Sequence, residues 1–106
     1  MKQISALELQ QRLQQPGIEL ILLDVREPHE YQHCHIENSQ LMPMQSVPQQ
    51  LDRLPRDQEI VTICHHGMRS QQVAQFLLQQ GYDKVINLQG GVDAWAIEVD
   101  PTMPRY

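Results

Sequence analysis

The sequence predicts an α/β fold: a mostly parallel central sheet with helices on both of its faces. Three observations carry that expectation. Leu20-Ile21-Leu22-Leu23 and Ile60-Val61-Thr62-Ile63 are largely continuous apolar runs, the signature of strands covered on both sides. Stretches with helical spacing of apolar residues alternate with these runs, which is the order of a parallel sheet. Asp24 and Cys64 stand directly after the two runs, and α/β folds gather functional groups at the carboxyl ends of their strands. The 106 residues suit one domain with one core, residues 1–106, with no linker and no internal repeat.

The elements follow in order. Ser5-Ala6-Leu7-Glu8 is a capping box, with Ile4 and Leu9 at the staple positions around it. The first helix then runs to about Gln14 and stops before Pro16-Gly17. The strand over 20–23 ends at Asp24. Residues 27–32 suit a short helix with Pro28 in its first turn. Residues 41–44 suit a weak extended segment, and 47–54 a short helix before Pro55. The strand over 60–63 leads into a helix over about 69–80, closed by Gly81 as a C′ glycine. Residues 85–88 form a further strand. Gly90-Gly91 precedes a short helical stretch around Ala94 and Trp95, with Trp95 as a core anchor. Residues 97–106 form a tail that docks on the domain or on a partner.

Composition excludes several function classes. Hydrophobic residues make up 41% and charged residues 20%, which is globular rather than disordered. The net charge of −5 comes from 8 basic and 13 acidic residues with no basic cluster, so nucleic acid is not an expected partner. The apolar run at 20–23 is far too short to cross a bilayer, so no membrane partner is expected. Met1-Lys2-Gln3-Ile4-Ser5 lacks a signal peptide's apolar region, and a cytoplasmic location is expected. Two cysteines allow one disulfide, which a reducing compartment disfavours.

Cys64 carries the chemistry. It lies in Cys64-His65-His66-Gly67-Met68-Arg69-Ser70, between a buried strand and an amphipathic helix. A thiol there faces unpaired backbone N–H groups and the positive end of a helix dipole. Such surroundings favour the thiolate, the nucleophilic form. Gly67 lets successive N–H groups curl inward as an anion-binding nest, and Arg69 adds a permanent positive charge. The alternative for Cys64 is an inert core thiol.

Four segments then resemble the rhodanese superfamily in its small single-domain form. Leu23-Asp24-Val25-Arg26 with Glu30-Tyr31 resembles its first signature. Cys34-His35-Ile36 is similar to a Gly-His-Ile signature, departing from it at Cys34. The Cys64 loop resembles the active-site loop, and Gly90-Gly91-Val92-Asp93-Ala94-Trp95 the closing motif. The resemblance implies a sulfurtransferase. Cys64 takes sulfane sulfur from thiosulfate or from a persulfide donor protein, and a thiol or cyanide acceptor removes it. Phosphatase and arsenate-reductase relatives carry a loop one residue longer, so the spacing here favours sulfur. The remaining alternatives are a persulfide carrier in a sulfur relay and a redox-sensing or binding module.

The other candidates weigh differently. The loop N–H groups from His65 to Arg69 are expected to hold the donor anion and the persulfide. Arg69 is assigned either to the anion or to anchoring the loop. Asp24 and Arg26 support the site as scaffold, as does His35, since transfer to a thiolate needs no carboxylate base. His65 and His66 set the polarity of the pocket. No metal is expected, because neighbouring residues in the Cys-His clusters seldom point at one centre. No organic cofactor is expected. Cys34 is a neutral replacement of glycine or, alternatively, a second thiol that exchanges with Cys64.

Overall fold

A computed structural model describes residues Met1–Tyr106. Five strands form one all-parallel sheet in the order β1-β5-β4-β2-β3. They are β1 Lys2–Ile4, β2 Leu20–Asp24, β3 Gln40–Leu41, β4 Glu59–Ile63 and β5 Val85–Leu88. The helices are α1 Ala6–Leu13, α2 Pro28–His33, α3 Met68–Gln79 and α4 Gly91–Glu98. No helix is long and apolar enough to cross a membrane.

Both faces of the sheet are covered, as the apolar runs predict. Alternate residues along each strand feed two separate cores, one on each face of the sheet, where the sequence reading expected one. Leu22, Val61, Ile63 and Ile86 pack with Leu9, Val92 and Trp95, beneath α1 and α4. Leu23, Ile60 and Val85 pack on the other face with Val73, Ala74 and Leu77 of α3, and with Val47 and Leu54. The capping box forms as expected, with Glu8 N–H donating to Ser5 Oγ and Ser5 N–H to Glu8 Oε1, both at 3.1 Å. Gly81 takes the left-handed conformation expected after α3, at φ +93°.

The elements differ from the sequence expectation at several points, β3 among them, which covers Gln40–Leu41 rather than 41–44. β1 pairs with β5 at the sheet edge and was not expected, since of its three residues only Ile4 is buried. The segment Met44–Arg53 is a 3₁₀ helix that starts earlier than position 47. It kinks at Gln50 (φ −120°), two residues after Pro48, which has no N–H to continue a regular ladder. α4 runs to Glu98, so the tail starts two residues later than expected. That tail docks on the domain, with Met103 buried in the core under α4.

β2 and β4 are neighbours, with Asp24 opposite Ile63. Register therefore sets Asp24 beside the residue that precedes Cys64. Asp24 and Arg26 are both fully buried and joined at 2.7 Å, with a second Arg26 contact from Nε at 2.9 Å. Arg26 Nη2 also donates to the Cys34 carbonyl at 2.6 Å. Burial works against the Arg26 charge, but Asp24 and Tyr106 outweigh it and raise its pKa. Breaking such a pair leaves a buried charge uncompensated. Chemical denaturation of Asp24→Ala should show a loss of about 3–5 kcal/mol. A loss below about 1 kcal/mol, the worth of a surface pair, would contradict this account.

Candidate functional site

β4 delivers Cys64 to the centre of the sheet's carboxyl edge, and α3 begins four residues later at Met68. The helix thus starts one residue before the sequence reading, inside the motif. Gly67 makes the turn at φ +103°, a conformation costly for any residue with a Cβ. Its N–H then points back at the thiol and donates to Cys64 Sγ at 3.0 Å. Ser70, in the first turn of α3 and fully buried, places Oγ 3.3 Å from the same sulfur. Cys64 itself is 1% exposed. Of the expected cradle of amides, the one bonded to sulfur in this state is Gly67.

Behind Ser70 lies a buried polar chain. Ser70 Oγ donates to Asn87 Oδ1 at 2.5 Å, and Thr62 Oγ1 lies 3.3 Å from that oxygen. Asn87 Nδ2 donates to the Gly67 carbonyl at 3.1 Å and to Gln3 Oε1 at 3.0 Å. One amide therefore anchors both the serine and the glycine that touch the sulfur. Sequence reasoning assigned no role to Ser70, Asn87 or Thr62. A signal was present: polar residues within strand runs such as Val85-Ile86-Asn87-Leu88 must find partners when buried.

The loop carbonyls face the other way. Cys64 C=O accepts from Val92 N–H at 2.9 Å and His65 C=O from Asp93 N–H at 3.1 Å. These donors belong to the first turn of α4, where N–H groups have no partner within the helix. Gly91 permits the approach, because a Cβ there would collide with both carbonyl oxygens.

Arg69 anchors the loop. Its two terminal nitrogens meet Glu30 Oε1 and Oε2 at 2.7 and 2.9 Å. The guanidinium is committed to that carboxylate, and its pKa is raised chiefly by this bond. Glu30 is held correspondingly low, at about 2, chiefly by Arg69 and against the effect of burial. The guanidinium is therefore not free to hold an anion at the loop. Tyr106 donates to Glu30 Oε2 at 2.9 Å and accepts from Arg26 Nη1 at 2.8 Å.

The remaining candidates sort by position. His65 lies between two rings, stacked on Tyr106 at 3.8 Å and on His66 at 3.9 Å. Its Nε2 is buried without a partner, and burial, then the neighbouring His66, lowers its pKa. His66 is exposed, with Nε2 3.9 Å from Asp93. Met68 is 75% exposed at the rim. His35 stacks on Tyr31 and bonds its carbonyl, so its contacts are with α2 rather than with the loop. Cys34 has extended backbone at φ −164°, open to any residue. It belongs to the core under α4, whereas Cys64 belongs to the core under α3, and both thiols are free. His65, His66 and Asp93 bring ligand atoms within 4.8 Å of one another. The Asp93 carboxylate is already held by Arg105 at 2.9 and 3.3 Å, so a cation there would have to displace it.

Comparison with known proteins supplies an independent line. The family model of the Rhodanese-like domain matches residues 5–98. A sulfurtransferase of Allochromatium vinosum is 37% identical over 94 residues, covering 89% of this chain and 87% of that protein. The thiosulfate sulfurtransferase GlpE of Vibrio cholerae is 36% identical over 74 residues, 70% of each chain. The crystal structure of a rhodanese-related protein from Thermoplasma volcanium matches at TM-score 0.84 and 31% identity, covering 93% of this chain and 94% of that one.

The Glu30–Arg69 pair has a defined pH window. Glu30 is depressed from 4.5 to about 2, so the pair's contribution is complete above pH 4.5 and is lost as pH falls through 2. Melting temperatures of wild type and Glu30→Gln should differ most above pH 4.5 and converge toward pH 2. A gap that stays constant across that range would contradict the assignment.

Proposed function

The chain belongs to the rhodanese-like family, and from that premise we propose that it is a sulfurtransferase working through a persulfide on Cys64. The observation that carries this reading is the contact of Cys64 Sγ with Gly67 N–H at 3.0 Å, at the start of a helix. A sulfur held by a backbone donor at a helix amino end is placed for anionic chemistry.

The steps balance without an added oxidant. The Cys64 thiolate attacks the outer sulfur of thiosulfate. The S–S bond of the donor breaks, and sulfite leaves with its electron pair. A persulfide donor reacts in the same way and leaves as a thiolate. A thiol or cyanide then attacks the outer sulfur of the Cys64 persulfide, and the Cys64 thiolate departs. The products are a new persulfide or thiocyanate. Splitting the transfer in two is covalent nucleophilic catalysis.

The chain's own groups have separate tasks. Gly67 N–H stabilises negative charge on Cys64 when it attacks and when it departs, and the Ser70 hydroxyl joins it by turning its one proton from Asn87 Oδ1 to the sulfur 3.3 Å away. Removal of one preorganised donor typically costs about 3 kcal/mol of transition-state stabilisation. Asp24, Arg26 and Glu30 take no proton in this scheme and hold the geometry. Arg69 holds the loop end against α2 through Glu30.

Purified protein given thiosulfate and cyanide should form thiocyanate, and intact mass should rise by one sulfur atom before acceptor is added. Cys64→Ser should fall to background in both measurements. Turnover by Cys64→Ser equal to wild type would refute the nucleophile, and absence of loading by either donor type would refute the function.

A further inference from the structure

The family match ends at residue 98, yet the segment beyond it reaches the catalytic loop. Two consecutive residues grip opposite walls. Arg105 holds Asp93 on α4 through Nε at 2.9 Å and Nη2 at 3.3 Å. Tyr106 holds the β2–α2 side, accepting from Arg26 and donating to Glu30. Between these anchors the Tyr106 ring lies flat on His65, with centroids 3.8 Å apart and planes within 6°. Tyr106 thereby touches the first side chain after Cys64 and shares Glu30 with Arg69, the residue at the loop's other end.

The segment is seated rather than merely adjacent. Met103 is buried in the core under α4, so the chain leading to Arg105 is fixed from below. Burial raises the Tyr106 phenol to about 12, which keeps it a hydrogen-bond donor to Glu30 at neutral pH. Cover is one-sided. Cys64 is 1% exposed, while Met68 on the same loop is 75% exposed. The Tyr106 ring covers the His65 side of the rim and leaves the Met68 side open.

We propose that Tyr106 is a specificity-determining residue, a wall over the His65–Arg69 rim that limits access to Cys64 to small sulfur donors and acceptors. Bulky persulfides reach the thiol only when the 99–106 strap is displaced. The proposal rests on Cys64 as the reacting group, as in the reading above, but its geometry does not require sulfur transfer. Residues held by the strap, His65 and Glu30, would also loosen without it, so selectivity and not total activity is the informative quantity.

The test compares Cys64 modification by a small and a bulky reagent, iodoacetamide and a fluorescein-linked iodoacetamide, with the site confirmed by peptide mass mapping. Wild type should strongly favour the small reagent. Tyr106→Ala should reduce that preference by roughly tenfold, the scale of discrimination by shape in a pocket. Tyr106→Phe keeps the ring on His65 and should retain the wild-type preference. Arg105→Ala frees the strap's other anchor and should give an intermediate value. Sulfur loading by thiosulfate and by glutathione persulfide should follow the same order. An unchanged reagent preference in Tyr106→Ala, with wild-type melting temperature, would overturn the proposal. So would Tyr106→Phe behaving like Tyr106→Ala. If the reagent preference shifts as expected while no donor loads Cys64, the wall stands and the sulfurtransferase reading fails.

Discussion

A loop that turns its N–H groups toward a thiol must turn its carbonyls outward, and buried carbonyls need donors. The structure meets that demand with the first turn of α4. Val92 and Asp93 N–H groups, orphaned at a helix start, bond the carbonyls of Cys64 and His65. Each element satisfies backbone groups that the other leaves open. Gly91 is the condition for this, since any Cβ would enter the carbonyls. The closing Gly-Gly motif is therefore part of the Cys64 site, although 27 positions separate Cys64 from Gly91 in the chain.

Two polar chains extend from that contact. Inside, Ser70, Asn87 and Thr62 connect the sulfur to β4 and β5. Outside, Asp24, Arg26, Tyr106, Glu30 and Arg69 connect the end of β2 to the start of α3. The outer chain explains why an arginine in the motif does not serve as a free anion site. Its charge is already neutralised by a carboxylate that stays ionised down to about pH 2. The donor that the loop itself turns to the sulfur is the Gly67 N–H.

Much of this was legible in the sequence because it depends on local rules. The capping box at Ser5 and Glu8, the doubly covered strands and the glycine after α3 follow from spacing and conformation alone. The position of Cys64 followed from the same logic. What escaped depends on contacts between distant residues. β1 is three residues long and exists through pairing with β5. Arg69 had two roles open in the sequence, the anion or the loop anchor, and α2 occupies its guanidinium by presenting Glu30. Tyr106 carries no motif, and its contacts with Arg26, Glu30 and His65 arise where the chain returns past the buried Met103. His35, expected to support the site, is drawn instead to Tyr31 by stacking and a carbonyl bond.

The most direct measurement is a crystal structure of the protein after reaction with thiosulfate. It should show one additional sulfur on Cys64 Sγ, within hydrogen-bond distance of the loop N–H groups, with Cys34 unmodified. An unmodified Cys64, or extra sulfur on Cys34 instead, would contradict the claim that the strand-to-helix loop at Cys64 is built to carry sulfur.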